Sequence, residues 1–444
     1  MESLRKILGI QALRDLAIET GFSQRSSKLT SEVFFDLMFY AVSLSQNSSL
    51  EYLVSYLASQ YGIEICKQSL DERFNERTVH FVKSVLSRLI REQFSKALYC
   101  ESFLSSFNHV RIKDSTKFKA PSNLEAHYKG CGGSGSTAGI SIQHEFDLKT
   151  GKFLDLTLTQ AIRNDQQDAK ETAENVCKGD LVIRDLGYFS IPVLQKISEQ
   201  EAFFLSRLLS AVSVYDENGI EVDFKKLHVF MTKNGIEKSQ KQVFIGKDKV
   251  PVRLVVGLVP PQVYQERVRR KQQEDARKGR KMTDKTKFLL HFNLFVTNVE
   301  TTILPAEKIL PLYRFRWQIE LMFKNWKSVF SIHTLQKMKE NRYITMLYIR
   351  LILIIVNLQI INQVQSLLSK QGQREAFLSY RKTLQTLKNS FSRILNILRC
   401  CQEKAINTLS GIYGILSKNH WREKRKKREN YVDYICLFSC ISEK

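Results

Sequence analysis

Between residues 107 and 207 the chain changes texture, and that change restricts the folds open to it. FNHVRIKDST, GISIQHEFD, KFLDLTLTQ, DLVIRD and AFFLSR are short runs rich in β-branched and aromatic residues, each suited to one strand. Between the third and fourth lies RNDQQDAKETAENV, which predicts a helix opened by Asn164 or Asp165. Three strands, a helix, a strand, a helix and another strand make a mixed α/β core. KGCGGSGSTAG (Lys129 to Gly139) reads as a flexible loop. It lacks the Gly-x4-Gly-Lys-Ser/Thr order of a nucleotide-binding loop, so no triphosphate site is expected there.

The flanks differ. Residues 1–105 read as helical, since FFDLMFYAVSL, LEYLVSYLASQYG and RTVHFVKSVLSRLIREQF place apolar residues at helical spacing. Ser69 is expected to cap a helix here. With Arg73, Arg77 and Lys83 this region suits a DNA-binding head, although a plain helical packing domain explains the same residues. Residues 208–300 read as β-rich, with a hairpin at Asn218-Gly219 and strands in KQVFIGKDKVPVRLVVGLV and FLLHFNLFVTNV. Between those strands, ERVRRKQQEDARKGRKMTDKTK holds ten Lys or Arg and four acids in 22 residues. It reads either as a solvated helix or as an arm that tracks phosphates. After Lys327 the chain is helical again to its end, and WREKRKKRENY puts six cations among the residues Arg422 to Arg428.

Lys and Arg number 68 against 45 Asp and Glu, a formal charge of +23. Such an excess opposes compaction unless a polyanion shares it, so nucleic acid or an anionic membrane is the expected partner. The membrane is disfavoured. MESLRKILGIQALRDLAIET lacks the apolar region and cleavage site of a signal peptide, and the most apolar stretch, Ile344 to Ile361, carries Arg350, Asn357 and Gln359. A buried helix explains that stretch better than a spanning one. The eight cysteines show neither CxxC pairs nor zinc spacing and are expected to be reduced, mostly buried thiols.

Chemistry concentrates in LPLYRFRWQIELMFKNWKSVF. Tyr313, Arg316, Glu320 and Lys327 form a Tyr-x2-Arg-x3-Glu-x6-Lys array, and the segment is expected to be one helix. At ~100° per residue the four would share an arc of about 60°. One acid among cations suits a site that holds a metal ion and grips phosphates beside it. A row of surface ion pairs is the simpler reading, since Arg316 and Glu320 stand four apart. A lone carboxylate cannot organise divalent metals, so partners are needed. Asp114, at the end of HVRIKD, and Asp185, at the end of DLVIRD, are candidates at predicted strand ends, where ligands bind in α/β sheets. Gly187 would let the chain turn after Asp185. Asp147, Asp155 and Asp180 are weaker rivals.

Asp114 in KDST, Asp185 in RDLGYF and Glu320 in YRFRWQIELMFKNWK together resemble the DDE transposases of the insertion-sequence-four family, as do FFLSRL and FVTNV in their connecting strands. The resemblance covers residues 105 to 345. It implies a ribonuclease-H-like core (α/β, α+β for the whole chain) formed by residues 106–207 and 301–345. That core would be interrupted by the β-rich insertion at 208–300, with its basic arm. Residues 1–105 would be a helical DNA-binding region, and 346–444 a helical region suited to dimerisation. The insertion fits the spacing, 71 residues from Asp114 to Asp185 against 135 from Asp185 to Glu320.

The resemblance further implies cut-and-paste transposition in a bacterial, nucleoid-associated cytoplasmic protein. Asp114, Asp185 and Glu320 would be the catalytic residues and hold two Mg²⁺ ions, with Mn²⁺ a substitute. Tyr313, Arg316 and Lys327 would contact DNA phosphates, and a homodimer would pair the element's terminal inverted repeats and join them to target DNA. Two alternatives stay open: a related nuclease or resolvase without strand transfer, and a non-catalytic DNA-binding descendant. One departure stands out. No Trp lies between residues 186 and 316 to stack a flipped base; Trp317 adjoins the array and is expected to pack the core of its helix.

Overall fold

The computed structural model describes residues 2–43, 49–93, 104–132, 137–370, 378–399 and 402–421. The run Arg422–Arg428 lies outside the described residues, as do Cys100, Cys400, Cys401, Cys436 and Cys440. In chain order come α1 (Glu2–Leu8), α2 (Ile10–Glu19), α3 (Ser31–Ser43), α4 (Leu50–Tyr61), α5 (Lys67–Glu72), α6 (Glu76–Arg91), β1 (Val110–Lys119), β2 (Gly139–Asp147) and β3 (Phe153–Gln160). Then follow α7 (Asp165–Glu171), β4 (Leu181–Arg184), α8 (Ile191–Glu199), β5 (Phe203–Arg207), β6 (Val214–Tyr215), α9 (Phe224–Lys233), β7 (Lys238–Ile245), β8 (Val250–Leu258), α10 (Pro261–Arg277), α11 (Asp284–Leu289) and β9 (Phe292–Thr297). The remainder is helical: α12 (Ala306–Arg314), α13 (Trp317–Phe330), α14 (Glu340–Lys370), α15 (Tyr380–Asn389), α16 (Phe391–Arg399) and α17 (Gln402–Asn419).

These elements fall into two compact units. One comprises Met1–Cys100, Ser115–Ile162 and Gln318–Lys444; the other comprises Glu101–Asp114 and Arg163–Trp317. Strand β1 is shared, its residues through Asp114 belonging to the second unit and those from Ser115 to the first.

In the first unit α14 is the core. The stretch Glu340–Gln365 is apolar enough to cross a membrane, but its most apolar part, Ile344 to Ile361, is buried throughout, as expected, with α3 and α6 packed on α14. Helix α6 forms where it does because Asn75 caps its first turn, accepting from the amides of Arg77 and Thr78. Its buried residues Phe81, Val82, Val85, Leu86 and Leu89 recur at helical spacing. Ser69 does not cap a helix; α5 opens one turn earlier, where the Cys66 thiol accepts from the Ser69 amide. Strand β2 pairs antiparallel with β3 and is buried along its whole length. Trp326 of α13 is fully buried against it, 5.1 Å from the His144 ring and 5.9 Å from Phe153.

In the second unit the early part of β1 pairs parallel with β4 and β4 with β5. The sheet continues antiparallel through β9, β8, β7 and β6. The expected insertion thus extends the sheet edge to edge. The hairpin at Asn218-Gly219 is present: Tyr215 bridges Glu221, and Gly219 takes the positive φ of +77° that the turn demands. Helix α9 was not anticipated, and α11 takes Phe288 and Leu289 from the start of the expected final strand. The first part of the basic segment, Glu266 to Arg277, lies in α10, and its end lies in α11. The described cysteines Cys66, Cys131 and Cys177 are free but exposed, against the expectation of burial. Cys66 caps α5 and Cys177 opens a turn, positions where small polar residues serve equally.

Strand β1 alternates in the second unit. Val110 and Ile112 point into the apolar core, while His109 and Arg111 reach Asp180, each at 2.9 Å. Lys113, fully buried, bonds Asp168 of α7 at 2.8 Å, and Arg163 holds the other Asp168 oxygen at 3.0 Å. Asp168→Ala would strand a buried ammonium. The expected loss is about 3–5 kcal/mol of unfolding free energy, whereas the double change Lys113→Met, Asp168→Leu should cost far less. Urea denaturation of the two variants decides it; equal losses would contradict the pairing.

Candidate active site

The register of β1 and β4 places the first two candidate acids side by side. Lys113 pairs with Arg184 as the last matched position, so Asp114 and Asp185 are the next residue on each of two parallel strands. Asp185 lies just beyond the end of β4, as expected. Asp114 does not end its strand, because β1 continues to Lys119; it is the last β1 residue of the second unit. Alternation puts Asp114 on the face opposite Lys113. Gly187 follows in a tight 3-10 turn, where a Cβ would stand 2.9 Å from an Asp165 carboxylate oxygen. Any other residue there would have to displace the Asp165 carboxylate at the start of α7.

Both acids converge on Arg316. Its Nη1 donates to Asp114 Oδ2 at 3.2 Å, and its Nε is 3.5 Å from Asp185 Oδ1. All three side chains are partly buried, Asp185 being the most open. Two carboxylates this close repel one another unless a cation lies between them, and the guanidinium fills that place. Sequence spacing did not reveal this pairing. Arg316 and Glu320, four apart, suggested a local ion pair, while the actual partner Asp114 lies 202 positions away.

Tyr313 is buried, 8% exposed, and its phenol donates to the carbonyl of Arg184 at 3.3 Å, bracing the residue before Asp185. Its ring packs against Phe295. Burial chiefly, then the charge of Asp185, pushes its pKa up to about 12.

The segment from Tyr313 to Lys327 is not one helix. Helix α12 ends at Arg314, the amides of Phe315 and Arg316 close three-residue turns onto Leu312 and Tyr313, and α13 starts at Trp317. The break has a packing cause. Helix α12 buries Ile309, Leu312 and Tyr313 in the second unit, whereas α13 buries Ile319, Met322, Phe323 and Trp326 in the first. The change of helix falls where the chain passes between units. Tyr313 and Arg316 therefore stand outside the helix that carries Glu320 and Lys327.

Glu320 is in the first turn of α13, half-buried, where the helix dipole favours a carboxylate. Lys327 is two turns on. Its Nζ donates to the Lys117 carbonyl of β1 at 3.4 Å, and burial lowers its pKa. Trp317 is 45% exposed, so the core position expected for it belongs to Trp326. The weaker rivals have structural work: Asp180 holds His109 and Arg111, and Asp147 accepts from the Lys149 amide and the Thr150 hydroxyl in a turn.

A model of the transposase DDE domain matches residues 105–358. The chain belongs to the DDE transposases. It is 30% identical to the transposase for insertion sequence element IS231B of Bacillus thuringiensis subsp. berliner, across 97% of this chain and 94% of that one. It is 26% identical to the transposase for IS1151 of Clostridium perfringens, across 84% and 83%. To the putative transposase InsL for IS186A of Escherichia coli it is 26% identical, across 52% and 60%. A DDE transposase has a ribonuclease-H-like core, and the parallel β1-β4-β5 order with flanking helices belongs to it.

The family's chemistry on DNA uses divalent metal ions. Among the described residues no three His, Cys, Asp or Glu side chains cluster as a ligand set. The donor pair of this transposase nevertheless fits such an ion. Asp114 and Asp185 are hard oxygen donors already converging on a shared positive charge.

Removing the Tyr313 hydroxyl tests its placement. Tyr313→Phe should cost about 1 kcal/mol at neutral pH by removing the phenol's hydrogen bond to the Arg184 carbonyl. A raised folded-state pKa means the phenol's contribution is full below its ordinary value of 10.0 and is lost as pH climbs toward about 12. The variant should therefore lose less stability across that window, read by denaturation at each pH. Unchanged stability at neutral pH, or the same loss between pH 10.0 and about 12 in both proteins, would contradict this placement.

Proposed function

We propose that this transposase moves an insertion sequence by cut-and-paste, with Asp114, Asp185 and Glu320 as the catalytic, metal-holding acids. The observation that carries the reading is the convergence of Asp114 and Asp185 on one cationic group in a chain of this family. Glu320 supplies the third carboxylate, four residues after Arg316 in the chain. The ligand set is all oxygen, which favours Mg²⁺, two ions per site, with Mn²⁺ a working substitute. Bound there, the ions lower the pKa of an attacking water or 3′-hydroxyl and stabilise the leaving oxygen.

The protein's own groups bind and orient the DNA. Arg316 has the planar fork for bidentate phosphate contact, and Lys327 acts as a point charge. Tyr313 supports the site by holding the backbone before Asp185, besides the phosphate contact the family resemblance implies. On α10, Glu266 pairs with Arg270, and Glu274 with Lys278, so the acids are neutralised within the helix. Arg269, Arg277, Arg280 and Lys281 remain exposed and suit tracking of a phosphate backbone. The DNA bound would be the terminal inverted repeats and then the target. Two ends call for two active sites, hence a homodimer.

Purified protein, Mg²⁺ and DNA carrying the element ends form the test. Wild type should cut and join the ends, while Asp185→Ala and Glu320→Ala should fall by more than about 100-fold, beyond the usual cost of disturbing a ligand's support. Equal cleavage by all three would sink the assignment. Cutting without joining would favour a nuclease, and binding without cutting under Mg²⁺ or Mn²⁺ a non-catalytic DNA-binding protein. Lys327→Ala should slow end processing about tenfold with metal binding largely intact; unchanged processing would remove it from the phosphate grip.

A further inference from the structure

Helix α13 carries Glu320 in its first turn and Lys327 in its last, and its far end is held in an unusual way. The last carbonyls of any helix lack intrahelical partners and bear a partial negative charge. Here two side chains from two other helices meet them. Lys388 of α15 donates Nζ to the Val329 carbonyl at 2.9 Å, and Arg350 of α14 donates Nη1 to the Ser331 carbonyl. The Thr334 amide and hydroxyl also reach the Ser331 carbonyl, at 3.1 and 3.0 Å.

Ser331 has φ of +52°, the left-handed conformation that glycine adopts freely and serine does not. That turn closes the helix, with the Ile332 amide reaching back six residues to the Trp326 carbonyl at 3.5 Å. Arg350 is 6% exposed, and Lys388 is half-buried. Burial drives both pKa values down, Arg350 to about 10. Taking two neighbouring cations out of water is unfavourable, so a plain packing role accounts for them poorly.

We propose that Lys388 and Arg350 are positioning residues for the transposase reaction. They clamp the C-terminal end of α13 from two sides and so fix where Glu320 and Lys327 stand. Val329 lies nine residues beyond Glu320, about 13 Å along the axis, so a tilt of ~10° at the clamp displaces Glu320 by about 2 Å. Displacements of that size remove most of the rate from a site that depends on alignment. The inference rests on Glu320 being a metal ligand.

The experiment uses the full chain with Lys388→Met, Lys388→Arg and Glu320→Ala. Cleavage of an end-bearing duplex is followed against Mg²⁺ concentration, with Mn²⁺ binding by calorimetry, DNA affinity and unfolding temperature measured alongside. Lys388→Met should lower saturated cleavage about tenfold and raise the Mg²⁺ and Mn²⁺ requirement about fivefold, with DNA affinity unchanged. Lys388→Arg should restore most of both. Arg350→Lys, which keeps the charge but not the fork, should show the same direction where it folds. Cleavage per folded molecule and Mg²⁺ dependence equal to wild type in Lys388→Met, beside an inactive Glu320→Ala, would overturn the clamp alone. Full cleavage by Glu320→Ala would overturn the metal-ligand reading and the inference with it.

Discussion

One guanidinium between two carboxylates is the interaction on which the site depends. The parallel register of β1 and β4 leaves Asp114 and Asp185 as neighbours, and neighbouring carboxylates repel one another unless a positive charge stands between them. Arg316 provides it, and a divalent ion would satisfy the same demand more strongly. Behind the pair, the opposite face of β1 is pinned by charge. Lys113 is buried on Asp168, and Arg111 on Asp180. Such buried pairs add little net stability, but breaking one is costly, so they fix the position of the strand.

The second constraint is the break between α12 and α13. A single straight helix would have put phenol, guanidinium, carboxylate and ammonium on one stripe. Tyr313 instead belongs to α12, Arg316 to the turn after it, and Glu320 and Lys327 to α13. Tyr313 and Arg316 stay with β4 and the two aspartates, bracing the Arg184 carbonyl and neutralising the acids. Glu320 and Lys327 ride on a helix whose far end is held by Arg350 and Lys388. The contacts of these four residues are therefore spread over elements that the motif alone does not show.

Much of this was legible in the residues. The five strand-like runs became β1 to β5 with small boundary shifts, and Asn164 caps α7 as its position suggested, accepting from the Gln167 amide at 2.7 Å. Local patterns suffice where a strand is bounded by turn residues or a helix by a cap. They fail where tertiary packing decides. Helix α9 packs Phe224, Leu227 and Met231 inward but leaves Val229 and Phe230 exposed, so its apolar residues mark no single face. The α12–α13 break has no Gly or Pro at the junction; it falls where the chain leaves one compact unit for the other. The Arg316 partners are far off in sequence, and long-range ion pairs leave no local trace.

The central claim is that Asp114, Asp185 and Glu320 hold one metal site. Fe²⁺ substituted for Mg²⁺ in the DNA-bound protein, with ascorbate and peroxide, generates hydroxyl radicals that cut the polypeptide beside the bound ion. The account predicts cuts near residues 114, 185 and 320 within the same molecules, suppressed by excess Mg²⁺ and lost in Asp185→Ala. Cuts near only one of the three, or at positions remote from all of them, would contradict it.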